Sequence, residues 1–409
     1  MLPVVAGLPL KLELKNPAGA MAAWGGLPAE YAGPLEAGLA GAGACALGCL
    51  GASWLTGDYS WVDRLWSVTP VAYAWLAVAH AGADPRCLLM AGLATLWGVR
   101  LTWNFARKGG YTLAGEDYRW VEVQKGFGVH REEGEDGGDD EVPLANRAAW
   151  QLFNAGFICG FQHLLLWLLA APALLCCAAA RGGRAAPLNA WDALAAAAFL
   201  GYWGLEAAAD QQQWEFQQQK KKSRRPGRVA AADRALRADC QRGFLTRGLF
   251  AYSRHPNFFA EQMLWWAFYV FSVAATAAPP VAAPAPERAG APWLAPLLDA
   301  YDEVYQLVLG SDVAAAEAPA GVQYVNWTLA GPLLLTALFQ GSTRLTEAIS
   351  ARKYPAYARY QASVSMLLPL PPRPPPTRRS SRRSSRSTAA TAPSPSALGR
   401  ALLLRGLGK

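Results

Sequence analysis

The chain has 409 residues, 53% of them hydrophobic and 17% charged, with a formal net charge of +8. That length admits two or three soluble domains, but long charge-free apolar runs argue against them and for a bilayer. The basic excess does not point to nucleic acid, because no aromatic residues interleave with the charges.

In chain order, residues 1–37 read as an N-terminal extension. Lys11, Glu13 and Lys15 break its first apolar stretch before a signal-peptide core can form, so the first span is expected to act as an uncleaved insertion signal. Seven spans are expected. They are Gly38–Leu55, Leu65–Ala81, Cys87–Phe105 with Arg100 inside, Leu152–Ala180, Leu188–Leu205 with Asp192 inside, Gln262–Ala278 and Gly321–Gln340. A nearly charge-free apolar run of about 18 residues suits a bilayer. The expected fold class is therefore all-α: a polytopic membrane helix bundle of about seven transmembrane helices over residues 38–369.

The loops give an orientation. Residues 210–257 hold eleven Lys or Arg, whereas residues 279–321 hold one, Arg288, against six acids. The positive-inside rule places the first loop and the C-terminus in the cytosol, and the second loop in the lumen. Residues 131–141 (REEGEDGGDDE) read as a disordered acidic insertion, and 279–321 as an Ala/Pro-rich lumenal loop. Residues 370–409 read as a disordered tail rich in Pro, Ser and Arg. That tail either meets anionic lipid headgroups, at about 1 kcal/mol per basic residue near the surface, or stays solvated without a partner. The endoplasmic reticulum is the expected membrane, a plastid membrane the alternative. The seven cysteines lie mostly inside spans and read as packing residues. His80, His130 and His163 have no ligand-spaced neighbours, so no metal site is expected.

Four constellations carry chemistry. Arg100 lies inside a span, where a charge costs about 2.5–3.5 kcal/mol and must find a partner. Asp63 is a candidate partner or a separate acid. Glu206, Asp210, Gln213 and Gln217 form one polar helical stripe where the fifth span leaves the membrane, suited to the amides and hydroxyls of a nucleotide. In AYSRHPNFFAE, Pro256 suits the first turn of a helix, and Arg254 and His255 stand at the entrance, where backbone N–H groups favour an anion. Asn257 and Glu261, four apart, share a face just inside the span. The alternative is snorkelling to headgroups for Arg254 and His255, and a packing ion pair for Glu261. Last, Tyr357 and Tyr360 share a face beside Arg359. Tyr360 reads as an interfacial anchor, and Tyr357 is left open.

Several segments together resemble the DUF1295 branch of the steroid 5-alpha-reductase C-terminal family. They are DRLW at 63–66, RLTWN at 100–104, GEDYRW at 115–120, EAAADQQQWEF at 206–216, GLFAYSRHPNFFAEQMLWW at 248–266 and YPAYARYQASVSMLLP at 354–369. The resemblance implies a seven-helix membrane fold that holds NADPH from the cytosolic side and reduces the carbon–carbon double bond of a lipophilic enone drawn from the bilayer. It implies that Asp210, Tyr252, Asn257 and Glu261 line the cofactor with Arg100 near its phosphates. Arg254, His255 and Tyr357 join that cofactor-binding set. Asp63 would be the catalytic acid that holds the substrate ketone. The tyrosine that accompanies that acid in steroid reductases reads Trp97 here. The RHP-then-Glu pattern is also similar to isoprenylcysteine and phospholipid methyltransferases, which use S-adenosylmethionine. Those usually carry a Glu-Glu pair in the final helix, where this chain has Glu347 alone. A non-catalytic membrane protein of the same fold is the third expectation.

Overall fold

The computed structural model describes residues 29–112, 116–130, 142–183, 185–223, 234–277 and 324–373. The acidic insertion at 131–141, the 279–321 loop, the tail beyond Arg373 and most of the N-terminal extension lie outside the described residues. Among the described residues there is no β-strand, only an isolated bridge between Ser253 and Ser365.

All seven apolar runs fold as helices. They correspond to α1 (Ala29–Thr56), α3 (Thr69–His80), α4 (Pro85–Arg107), α6 with α7 (Leu144–Phe153 and Gln162–Arg181, joined by a π-helical segment Asn154–Phe161), α8 (Ala190–Ser223), α10 (Pro256–Ala274) and α11 (Ala330–Lys353). Short helices α2 (Trp61–Leu65), α5 (Tyr118–Phe127), α9 (Arg234–Arg242) and α12 (Tyr357–Ser363) fall between or after them. Among the described residues, two helical stretches are by length and composition long and apolar enough to cross a membrane, Gly33–Thr56 and Leu144–Arg181. Two ends differ from expectation. The last span starts later, at Ala330, because Asn326 caps a 3-10 turn at Trp327–Leu329 by accepting from Thr328 N–H at 3.0 Å. Helix α8 runs on to Ser223, since its Gln- and Lys-rich end is helix-forming although polar.

Local chemistry sets the starts. Asp84 caps α4 by accepting from the Arg86 and Cys87 N–H groups, both at 3.0 Å, with Pro85 at the first helical position. Pro256 does the same service for α10. Helix α7 is apolar all round, and every residue from Leu165 to Ala178 is buried, as expected of a central helix. Helices α1, α3, α10 and α11 pack around it. Gly331 allows α11 to cross it closely: a Cβ there would meet the Leu168 carbonyl oxygen at 2.4 Å.

Helices α4 and α8 run parallel in a fixed register. Arg86 pairs with Asp192, Arg100 with Glu206 and Asn104 with Asp210, each 106 positions apart. Fourteen residues separate the two arginines, close to four helical turns, so one face of α4 meets one face of α8 twice. Helix α10 lies antiparallel against α8, with Asn257 at Asp210, Phe259 at Tyr202 and Phe268 at Phe199. These three helices build the site.

Candidate functional site

The centre of the site is Arg100 of α4. Its Nη1 donates to Asp210 Oδ2 at 2.7 Å and its Nη2 to Glu206 Oε1 at 2.5 Å, while Nη2 also lies 3.8 Å from Glu261 Oε2. Asp210 accepts further from Asn104 Nδ2 at 2.8 Å and Asn257 Nδ2 at 3.3 Å. Glu261 accepts an indole N–H on each oxygen, from Trp97 and from Trp265, both at 2.9 Å. Those two indoles meet edge to face at 4.8 Å. All three carboxylates are at most 6% exposed. Lys108, 3.8 Å from Asp210 and 42% exposed, marks the open rim. Beside it Arg107 is stacked between Trp103 and Trp214 and donates to Asn104 Oδ1 and Gln211 Oε1. Two buried atoms here have no hydrogen-bond partner, Arg100 Nε and Glu206 Oε2. A buried polar group left unmatched is where a ligand atom is expected.

The structure thus gathers Arg100, Asp210, Asn257 and Glu261. It places Arg254, His255 and Tyr357 elsewhere, around Glu347 of α11. Arg254 donates to both Glu347 oxygens, at 2.5 and 2.9 Å, and also to the Gln361 and Val364 carbonyls. His255 Nε2 is 3.1 Å from Glu347 Oε1, Gln361 donates at 3.0 Å, and the Tyr357 hydroxyl approaches at 3.5 Å. Burial opposes the charge, yet the hydrogen bonds from His255, Arg254 and Gln361 hold Glu347 down to about 2. Backbone bonds from Arg254 N–H to Ser365 and His255 N–H to Met366 weld the chain after α12 to the α10 entrance. This second cluster therefore fixes the entrance of α10, where Asn257 stands in the first turn. Tyr252 is half exposed, and its carbonyl accepts from Leu370 N–H. Tyr360 is buried and donates to the Phe250 carbonyl at 2.5 Å, so it packs inside the protein rather than serving as an interfacial anchor.

Asp63 has partners of its own. It accepts from Trp120 Nε1 at 2.9 Å and lies 3.6 Å from Arg119, both on α5. Burial pushes its carboxyl up to about 6, against the pull of Arg119. Of the two expectations for Asp63, partner of Arg100 or separate acid, the structure gives the second. The face of α4 that carries the Ser67–Thr102 contact and close packing at Gly98 is turned toward α3 and the turn before it, whereas Trp97, Arg100 and Asn104 face α8 and α10.

Trp97, noted in the sequence only as standing where steroid reductases carry a tyrosine, joins the site residues Asn104, Trp265 and Lys108, which the sequence reading did not single out, and Glu206 was read only as part of a stripe. The signal for the first two was available: positions 97, 100 and 104 share one helical face. Among the described residues no group of His, Cys, Asp and Glu has a metal-holding arrangement.

The family model described as "Protein of unknown function (DUF1295)" matches residues 50–286. An uncharacterized protein of Schizosaccharomyces pombe is 33% identical over 323 residues, covering 78% of this chain and 75% of the yeast protein. No solved structure matches significantly. The matched segment includes α4, α8 and α10, the three helices that converge on Arg100, and the chain belongs to the DUF1295 family.

Proposed function

We propose that the chain is an integral-membrane, NADPH-dependent reductase acting on the carbon–carbon double bond of a lipophilic enone. One observation carries the reading: Arg100, Asp210, Asn257 and Glu261 come from three helices and converge on a single buried cluster. The donor set fits a dinucleotide in part by its chemistry. Carboxylates and an amide suit ribose hydroxyls and a carboxamide, and the unmatched Arg100 Nε and Glu206 Oε2 offer one donor and one acceptor. Arg254 and His255 are committed to Glu347, so the phosphates would fall to Lys108 and Arg107 at the rim. When bound, the cofactor supplies a hydride. The protein's own part is to orient it through the cluster and to keep water from it behind Trp97 and Trp265.

In this proposal all seven apolar helices span the bilayer and the rim faces the cytosol. A glycosylation acceptor placed near Arg225 stays unmodified; modification there reverses the orientation. Affinity tests the cofactor placing. Asn257→Ala and Glu261→Gln each weaken NADPH binding by about 1–3 kcal/mol, the cost of leaving a partner unsatisfied. Unchanged affinity in both, with lowered thermal stability instead, assigns these residues to packing.

A second reading has one observation in its favour. Arg254 and His255 of the RHP stretch close on Glu347, the acid of the final long helix, which is where methyltransferases of similar pattern carry theirs. S-adenosylmethionine is therefore the competing cofactor in the tests.

A further inference from the structure

We propose that Glu206 is the proton donor of this site, holding a proton on Oε2 at neutral pH for delivery to a bound substrate. The proposal rests on the reductase reading and adds to it the source of the second hydrogen that reduction of a double bond needs.

The argument is an account of donors. Around Arg100 stand three carboxyl groups: Glu206 and Asp210 of α8, and Glu261 of α10. Glu261 accepts an N–H on each oxygen, from Trp97 and Trp265. Asp210 accepts from Arg100, Asn104 and Asn257, with Lys108 near. Every donor there is fixed and meets an oxygen of one of these two acids. Glu206 differs. Oε1 takes the Arg100 Nη2 proton, but Oε2 is buried with no donor facing it. An ionised oxygen in that position is uncompensated, whereas a hydroxyl there can donate to the neighbouring Glu261 carboxylate. Arg100 Nη2 also bridges Glu206 to Glu261, which sets the two carboxyl groups side by side, an arrangement that retains a proton. With one proton on Glu206, the three acids balance Arg100 and Lys108.

The chemistry closes. A bound NADPH would supply the hydride and be oxidised to NADP+; as that hydride adds to the β-carbon of the enone, the double bond's π pair would move to the α-carbon. That carbon takes the proton as the Glu206 O–H bond breaks. The carboxylate is then reprotonated from water at the Lys108 rim. Asp63, with partners only on α5 among the contacts that hold it, is not needed for this step.

The test uses the full-length protein in detergent. Infrared difference spectra between the parent and Glu206→Gln are recorded at about pH 8, where Asp63 at about 6 is ionised. The parent shows a carboxylic-acid carbonyl band, sensitive to D2O, that Glu206→Gln removes and Asp63→Asn does not. Because glutamine mimics the protonated acid, Glu206→Gln also unfolds at nearly the parent temperature. A band that survives in Glu206→Gln, or a variant destabilised as a broken ion pair would be, overturns the assignment. If the band is present but the parent does not bind NADPH, the delivery step falls with the reductase reading while the stored proton stands.

Discussion

Arg100→Met is expected to lower stability by about 3–5 kcal/mol, as when one partner of a buried ion pair is removed. Arg100 supplies the fully buried cation of the cluster, and its loss leaves Asp210 and Glu261 facing each other with only neutral donors and the half-open Lys108. The cost comes from the charge left behind, not from the shape of the side chain. Combining Arg100→Met with Asp210→Asn and Glu261→Gln should therefore recover most of it, since a neutral set of similar volume needs no counter-ion. Thermal unfolding in a single detergent measures both proteins. A loss below about 1 kcal/mol for Arg100→Met would mean that water reaches the carboxylates freely and that the cluster is not buried.

The far end of the same helix pair is expected to be equally sensitive. Arg86, only 2% exposed, donates to both Asp192 oxygens at 2.7 and 2.8 Å and to the Ala186 and Pro187 carbonyls. Arg86→Met strands a buried carboxylate and two carbonyls, and should cost about 3–5 kcal/mol. Arg86→Met with Asp192→Leu should restore a large share, and the non-additivity measures the pair directly. NADPH affinity is expected to survive in the double variant, because Arg100 with Glu206 still sets the register of α4 on α8. If affinity collapses although the protein is folded, the two ion pairs act as one unit.

Much of this architecture can be read in the sequence, and the limits have physical causes. Apolar runs mark every long helix because burial and a bilayer both demand them, and for the same reason they do not separate the two. The charges inside two runs, Arg100 and Asp192, announce partners. That the partners are Glu206 with Asp210, and Arg86, follows only from the register of α4 on α8, which connects positions 106 apart. Asn257 and Glu261 are legible from their four-residue spacing. Arg254 and His255, adjacent to them in sequence, turn to Glu347 instead, because the chain leaving α12 returns to pair with the α10 entrance and brings that carboxylate's neighbours with it. A local pattern cannot show such a long-range return. Trp97 and Trp265 read as apolar membrane residues, and their indole N–H groups gain meaning only opposite Glu261.

The most direct measurement is the thermal stability of the purified parent protein with NADPH or with S-adenosylmethionine, titrated over the same range. A ligand that binds only the folded state adds about 2.7 kcal/mol at a hundredfold excess over its Kd. The account predicts that NADPH gives this rise, that Asn257→Ala and Glu261→Gln diminish it, and that S-adenosylmethionine gives none. Stabilisation by S-adenosylmethionine with no response to NADPH would contradict the reductase reading and move the functional centre from Arg100 to Glu347.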